Sequence, residues 1–409
     1  MEAYFEAREL RPPSQREQTL LASLRELVEY SRRQSPYYGQ TLAAVDITSL
    51  TSRAALADLP LLRKSDLSAL QEVSGPLGGI AAESAQIDRL FLSPGPICEP
   101  EHCTDDWWRM GRAFHAAGFR PGMKVQNCLS YHLSPGGFIL DSGARACGCS
   151  VIPAGPGQTE LQLELNARLK PEGYCGTPSF LAILLDRAEA SQQPLSFRVA
   201  LVTGEALPAS LRARFEAAGI RVRQAYATAD VGLIAYETEP DAGLVVDEDL
   251  LLEVVRPGSG QPVAEGEIGE VVVTSVNPDY PLVRFATGDL SSVMIEPSPC
   301  GRTNMRIRGW QGRADQSTKV KGLFVHPGQI EQLRNRIPGL ARIRAVITQS
   351  EGQDSLTLLC EPEQLPTVTE EEVVAQARAL LRLGTSACWV AAGVLPRDGV
   401  VIEDTRPTP

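Results

Sequence analysis

Five short segments of this 409-residue chain combine residue types that could do chemistry together. Tyr226-Ala227-Thr228-Ala229-Asp230 offers an aromatic face for a base, a hydroxyl for a phosphate and a carboxylate for a metal. Gly204-Glu205-Ala206 follows an apolar run at 200–203. In an open α/β sheet ligands gather at the carboxyl ends of the strands, so both segments would line one crevice. Arg284-Phe285-Ala286-Thr287-Gly288-Asp289 reads as a turn whose acid follows a glycine directly. Such a carboxylate can accept both hydroxyls of a sugar diol, although it could equally be an ordinary helix or turn cap. Gly312-Arg313-Ala314-Asp315, with Lys321-Gly322 beyond it, brings two cations to a change in composition, where a solvated linker would look the same. Ser93-Pro94-Gly95-Pro96-Ile97-Cys98-Glu99-Pro100 follows the apolar stretch 90–92, where a phosphate-cradling loop belongs. It holds one glycine, three prolines without an amide hydrogen, and an acid, which makes a rigid surface loop with a poor grip on phosphate.

These segments need a frame. Residues 14–34 carry Leu20, Leu21, Leu24, Leu27 and Val28 on one helical stripe, and a second helix is predicted over 104–117, ended by Gly118. Helices at 136–147, 160–169, 178–189 and 209–218 alternate with strands at 124–129, 150–152, 173–175, 198–202 and 221–226. That alternation means βαβ units and a mainly parallel sheet. After Gly232 the runs 250–255 and 269–275, with the turn Pro257-Gly258-Ser259-Gly260, read as antiparallel strands. A last unit starts near Gly312, with helices at 327–337 and 370–383 among strands. The fold class is therefore α/β. A large N-terminal domain, 1–313, has mainly parallel sheets flanked by helices plus an antiparallel subdomain. A small α+β C-terminal domain, 314–409, follows a hinge at Asp315 or Gln316.

Composition narrows the function. Hydrophobic residues make up 43% and charged residues 22%, an ordinary globular mix. No apolar run is long enough to cross a membrane, and the acidic start is no signal peptide, so the expected location is the cytoplasm. The net charge of −11 and the lack of a Lys/Arg cluster argue against nucleic acid as partner. The nine cysteines lack zinc-finger spacing and are expected to be free thiols. Lysines are scarce: Lys64, Lys124, Lys170, Lys319 and Lys321 are the whole set.

The order of the motifs says more than any one of them. Ser35-Pro36-Tyr37-Tyr38 and Leu59-Pro60-Leu61-Leu62-Arg63-Lys64-Ser65-Asp66-Leu67 come first. Ala117-Gly118-Phe119-Arg120-Pro121-Gly122-Met123-Lys124-Val125, Gly157-Gln158-Thr159 and Gly176-Thr177-Pro178-Ser179 follow. Gly266-Glu267-Ile268-Gly269-Glu270, Thr287-Gly288-Asp289 and Gly322-Leu323-Phe324-Val325-His326-Pro327-Gly328-Gln329-Ile330-Glu331 complete the series. Nearly end to end, the chain resembles the phenylacetate–CoA ligase family of adenylate-forming enzymes, relatives of acyl-CoA synthetases, peptide-synthetase adenylation domains and luciferases. The resemblance implies an AMP-binding N-terminal domain and a mobile C-terminal one. It also implies ATP and AMP as nucleotides, Mg2+ at Asp230, CoA or another acyl acceptor, and a small, planar aromatic acid as substrate. Gly204, Glu205 and Ala225 would flank the adenine, Tyr226 would stack on it, and Thr228 would lie near the phosphate with Ser93 and Gly95. Asp289 would hold the ribose, Arg313 would approach it, and Lys321 would supply a catalytic cation. Tyr131, His132, Gly136, Gly137, Ala154, Gly155 and Gly157 would line the acyl pocket, unless the glycines only permit close packing.

The chain also departs from the family pattern. Of a phosphate loop reading roughly Ser-Ser-Gly-Thr-Thr-Gly-Lys-Pro, only Ser93, Gly95 and Pro100 match. The family's magnesium-binding glutamate is matched by Asp230, one methylene shorter. In place of the C-terminal Leu-Pro-Arg-x-x-Gly-Lys stands Leu395-Pro396-Arg397-Asp398-Gly399-Val400-Val401, and no lysine follows Lys321. The zinc site of some members is reduced to Cys300, so no zinc is expected. Three readings stay open: an altered adenylating ligase, a binder of nucleotide or acyl compound without turnover, and an acyltransferase fed by a partner enzyme. A homodimer is a candidate assembly.

Overall fold

The computed structural model describes residues 3–93, 96–316, 318–320, 323–350, 353–366, 368–397 and 400–406. The chain divides into two compact units, one of residues 1–287 with 292–310 and one of residues 288–291 with 311–409. The large unit is built on a nine-stranded sheet. Its parallel part runs Ser150–Pro153, Lys124–Asn127, Gly173–Gly176, Val199–Val202 and Arg221–Thr228. From Arg221–Thr228 it continues antiparallel through Gly232–Glu237, Leu244–Val246, Arg306–Ile307 and Val293–Met294. The central strands are short apolar runs because helices cover both faces, and every residue of Val199–Val202 is buried. A second, four-stranded sheet runs Leu62–Arg63, Leu282–Ser291, Gly269–Ser275 and Leu250–Val255; the last two strands pair antiparallel as expected, whereas the short Leu62–Arg63 pairs parallel with Leu282–Ser291. The helix Pro13–Gln34 opens with proline at its first position and buries Leu20, Leu21, Leu24, Leu27 and Val28 against that part of the core.

In the second unit Ser386–Trp389, Gln353–Pro362, Leu340–Ser350 and Ile402–Asp404 make one sheet, packed with the helices Pro327–Arg336 and Glu370–Leu381. This is the mixed α/β architecture read from the sequence. Among the described residues no helix is long and apolar enough to cross a membrane.

Three local expectations are corrected. The helix expected from 104 begins only at Gly111. Asp106 and Arg109 take φ of 52° and 62°, and the Asp106 carboxylate accepts the Gly111 amide at 2.9 Å, so the preceding segment is a turn. That turn frees Arg109 to reach Asp247 at 3.1 Å and the Val231 carbonyl at 2.6 Å. The expected surface loop at 93–100 is instead a hairpin of Arg89–Ser93 with Ile97–Glu101, in which Ile97, Glu99, Pro100 and Glu101 are buried. The Gln71 amide acts as an extra strand edge, exchanging two 2.8 Å hydrogen bonds with the Cys98 backbone. Finally, Arg284 to Asp289 is no turn; it lies within the strand Leu282–Ser291.

Candidate functional site

The strand ends that the sequence pointed to do meet in the large unit. Thr203, at the end of Val199–Val202, donates its hydroxyl to the Ala225 carbonyl at 2.8 Å, tying the two neighbouring strands together where they stop. Gly204 turns the chain away with φ of 80°, in the left-handed region that a residue with a Cβ rarely enters. Glu205 follows, and its carboxylate accepts from the Ser179 hydroxyl at 2.9 Å and the Ser179 amide at 3.3 Å. An acid at the start of the helix Pro178–Ser191 is held by the unpaired amides and the positive end of the dipole. The Tyr226 hydroxyl lies 3.3 Å from Thr287 Oγ1, and Thr287 Oγ1 in turn donates to the Val271 carbonyl at 3.0 Å, so the half-buried ring is fixed from its far end. A register shift between Tyr226 and Ala227 breaks the pairing with the next strand there. Thr228 Oγ1 accepts the Val231 amide at 3.2 Å and closes the turn that carries Asp230.

Asp230 does not stand alone. Lys64, on the short helical turn Lys64–Asp66, donates to Asp230 Oδ2 at 2.6 Å. The acid's side chain is 1% exposed and the lysine's 27%. Glu99 of the hairpin is buried beside this pair, and Ser93 donates its hydroxyl to Glu99 Oε2 at 2.8 Å. Burial, helped by the negative charge of Asp230, pushes the Glu99 carboxyl up to about 7; Ser93 and Lys64 pull the other way. Tyr280 is buried against the same group, and its phenol is pushed well above the usual range, first by burial and then by Asp230. Asp230 Oδ1, Glu99 Oε1 and the Tyr280 hydroxyl have no hydrogen-bond partner among the described residues. Three orphaned polar atoms around one ion pair mark an arrangement not completed by the protein alone.

A magnesium ion does not fit this arrangement as it stands. Its single matched acid is already neutralised by an ammonium at 2.6 Å, and a dication would have to displace Lys64. Among the described residues no group of three or more His, Cys, Asp or Glu side chains is set to hold a metal. Neither Lys64 nor Glu99 stands out as a site residue in the sequence. Lys64 lies far from Asp230 in the chain, and its scarcity as a lysine was the signal available. Glu99, in the sequence, signals only an obstacle to phosphate.

The residues expected around the acyl group divide by role. Tyr131 is fixed: Asn127 donates to its hydroxyl at 2.7 Å and the hydroxyl donates to Asp141 at 3.0 Å. Gly137 serves packing rather than room, because an added Cβ would lie 2.7 Å from the Ser130 carbonyl oxygen and 2.8 Å from the Tyr131 ring. Gly136 meets only ordinary contacts. Gly155 and Gly157 face open space with φ of 68° and 76°, and Gln162 donates to both of their carbonyls at 2.7 and 2.9 Å. His132 is exposed in the loop whose Leu133 carbonyl accepts from Leu92 of the hairpin.

In the second unit, Arg313 Nη1 donates to Asp289 Oδ1 at 3.2 Å, and the two residues form a backbone bridge. Asp315 lies in the single turn Ala314–Gln316, and Gln316 accepts from the Val401 amide at 2.9 Å. Gly95, Lys321, Gly322, Asp398 and Gly399 lie outside the described residues.

Sequence and fold comparisons agree on the class. Residues 127–277 match the model of the AMP-binding enzyme family. The chain is 30% identical over 347 residues to the phenylacetate-coenzyme A ligase of Thermus thermophilus, covering 80% of this chain and 77% of that one. It is 28% identical over 368 residues to the enzyme of the same name from Escherichia coli, with 83% and 84% covered. A solved structure of 2-hydroxyisobutyryl-CoA ligase, in an open conformation with its acyl adenylate and CoA, superposes with a TM-score of 0.83 at 22% identity, over 97% of this chain and 93% of that one. These strand ends and this sheet are the frame of an adenylate-forming enzyme. The chain belongs to the phenylacetate–CoA ligase family.

Proposed function

We propose that this protein activates a small, planar aromatic carboxylic acid and hands the acyl group to the thiol of CoA. The acid's carboxylate attacks the α-phosphate of ATP, forming the C–O–P bond of an acyl adenylate as the bond to pyrophosphate breaks. The thiol sulfur then takes the acyl group and AMP leaves. By family position Glu205 and Tyr226 are the residues for the base, and Asp289 is the acceptor for the ribose hydroxyls. Lys64, rather than a metal, balances the charge at Asp230. The observation that carries this reading is the pair of tied strand ends, with Tyr226 locked at one and Glu205 held by a helix start at the other, in a chain of this kinship. The test is pyrophosphate release with a panel of aryl acids, CoA and ATP. Lys64→Met should lower it by about 10²–10³-fold, as removal of one preorganised charge-stabilising group does. Release by no acid in the panel would remove the adenylation step from the proposal.

A second reading has its own support. Glu99 stands on the hairpin that would face the β- and γ-phosphates, and Val401 stands where the family motif has its lysine. Both weaken the grip on a triphosphate and favour a protein that holds AMP or a ready-made acyl adenylate supplied by a partner enzyme. Titration calorimetry should then find AMP bound more tightly than ATP. ATP binding much tighter than AMP, with magnesium present, would remove this reading.

A further inference from the structure

Away from the strand-end crevice, the large unit has a second polar cavity of about 370 Å³, lined among others by Tyr4, His115, Arg120, Cys300 and Arg302. Cys300 is part-exposed at its wall, with the Ser298 hydroxyl 3.1 Å from the sulfur. Arg302 is 6% exposed and stacks its guanidinium over the rings of Tyr4 and Tyr236, at 5.1 and 5.7 Å from their centroids. Its Nε is bound by the buried Glu9 carboxylate, yet its Nη2 has no acceptor among the described residues. A buried guanidinium nitrogen without an acceptor is costly. The Arg302 side chain also reaches the Cys300 sulfur, which becomes a full acceptor only as the thiolate. The charges facing the sulfur are mixed: Arg302 and Arg120 favour the anion, whereas Glu9, already spent on Arg302, and the exposed Glu239 oppose it.

We infer that Cys300 is a thiolate nucleophile and a modification site for small electrophiles, with hydrogen peroxide as the chemical class it takes. In that step the sulfur attacks one peroxide oxygen, an S–O bond forms and the O–O bond breaks. Hydroxide leaves and is protonated by solvent to water, and the sulfur is oxidised by two electrons to a sulfenic acid. The electrostatics agree: burial opposes ionisation, but hydrogen bonds from Ser298, Thr238 and Arg302 outweigh it and hold the Cys300 thiol below its ordinary value. Cys103, the exposed cysteine, is instead shifted up by desolvation and the nearby Glu101. Thiolate fraction, not exposure, then decides reactivity.

The experiment is limiting iodoacetamide on the full chain at pH 7, followed by peptide mapping. Cys300 should be alkylated several-fold faster than Cys103, since the thiolate fraction rises as the pKa falls. Arg302→Met should cut that rate about ten-fold and raise the pH midpoint of labelling. Ser298→Ala, at a part-exposed position away from the Glu9 pair, should cut it a few-fold with the fold intact. Peroxide with a sulfenic-acid trap such as dimedone should place the adduct on Cys300. Faster labelling of Cys103, equal rates in wild type and Ser298→Ala, or a dimedone adduct on another cysteine would each overturn the inference.

Discussion

Two buried ion pairs in the large unit are alike in composition and opposite in character. Arg284 and Glu253 join the two strands that flank Gly269–Ser275 in the four-stranded sheet, and Arg284 is 1% exposed. All five of its N–H donors are used. Two go to the Glu253 oxygens at 3.0 Å, and three go to the carbonyls of Ala57, Leu59 and Gly260 at 3.3, 2.8 and 2.8 Å. This closed network holds Arg284 at φ of 46°, a conformation that costs free energy wherever it is not enforced. Lys64 and Asp230 are joined by one hydrogen bond, and orphaned oxygens surround them on Asp230, Glu99 and Tyr280. A network that satisfies itself serves the fold. One that leaves buried acceptors open is held in place by the fold for something else.

The first way to break this comparison is Arg284→Met. Removing one partner of a buried pair strands the other charge, so the large unit should lose about 3–5 kcal/mol of stability in denaturant unfolding. A loss below about 1 kcal/mol would mean that the pair is not the structural clamp described here.

A second test separates the two sites by pH. Glu99 holds its proton more tightly in the folded protein than its ordinary 4.5, up to about 7. For an acid raised in this way the folded state binds more protons than the unfolded one, so its contribution is present at low pH and is lost as pH rises from about 4.5 to 7. Glu99→Gln keeps an acceptor for Ser93 and removes the buried charge. Thermal unfolding should find it more stable than wild type at pH 8, by at most about 3 kcal/mol, and no different near pH 4. Glu253→Gln should do the reverse at pH 8, since its carboxylate is needed by Arg284. Equal curves for Glu99→Gln and wild type across that range would show Glu99 ionised and accommodated. The same substitution should bring the ATP and AMP affinities closer together at pH 8.

The smallest expected effect lies further along the strand that carries Arg284. Asp289→Ala should leave stability unchanged and weaken AMP by roughly ten- to a hundred-fold, equivalent to about 1.5–3 kcal/mol for a charge-assisted hydrogen bond. Unchanged AMP binding would make Asp289 a partner of Arg313 alone.

The sequence by itself determined the class of fold, the order of its elements and the family. Those rest on local signals that repeat along the chain: apolar runs such as Val199–Val202, the stripe from Leu20 to Val28, and glycines where the chain must turn. It also marked Gly204, Glu205 and Tyr226, because strand ends in such a sheet are readable from the alternation of strand and helix. Tertiary structure alone decided that Arg284 is a clamp, that Arg89–Ser93 pairs with Ile97–Glu101, and that Gly137 makes way for Tyr131. It alone set Lys64 on Asp230, far apart in the chain, with Glu99 buried beside them. Periodicity reports which face of an element is buried, but not which distant charge will be buried against it. Burial and neighbouring charge together fix whether an acid is a ligand, a proton carrier or half of an ion pair.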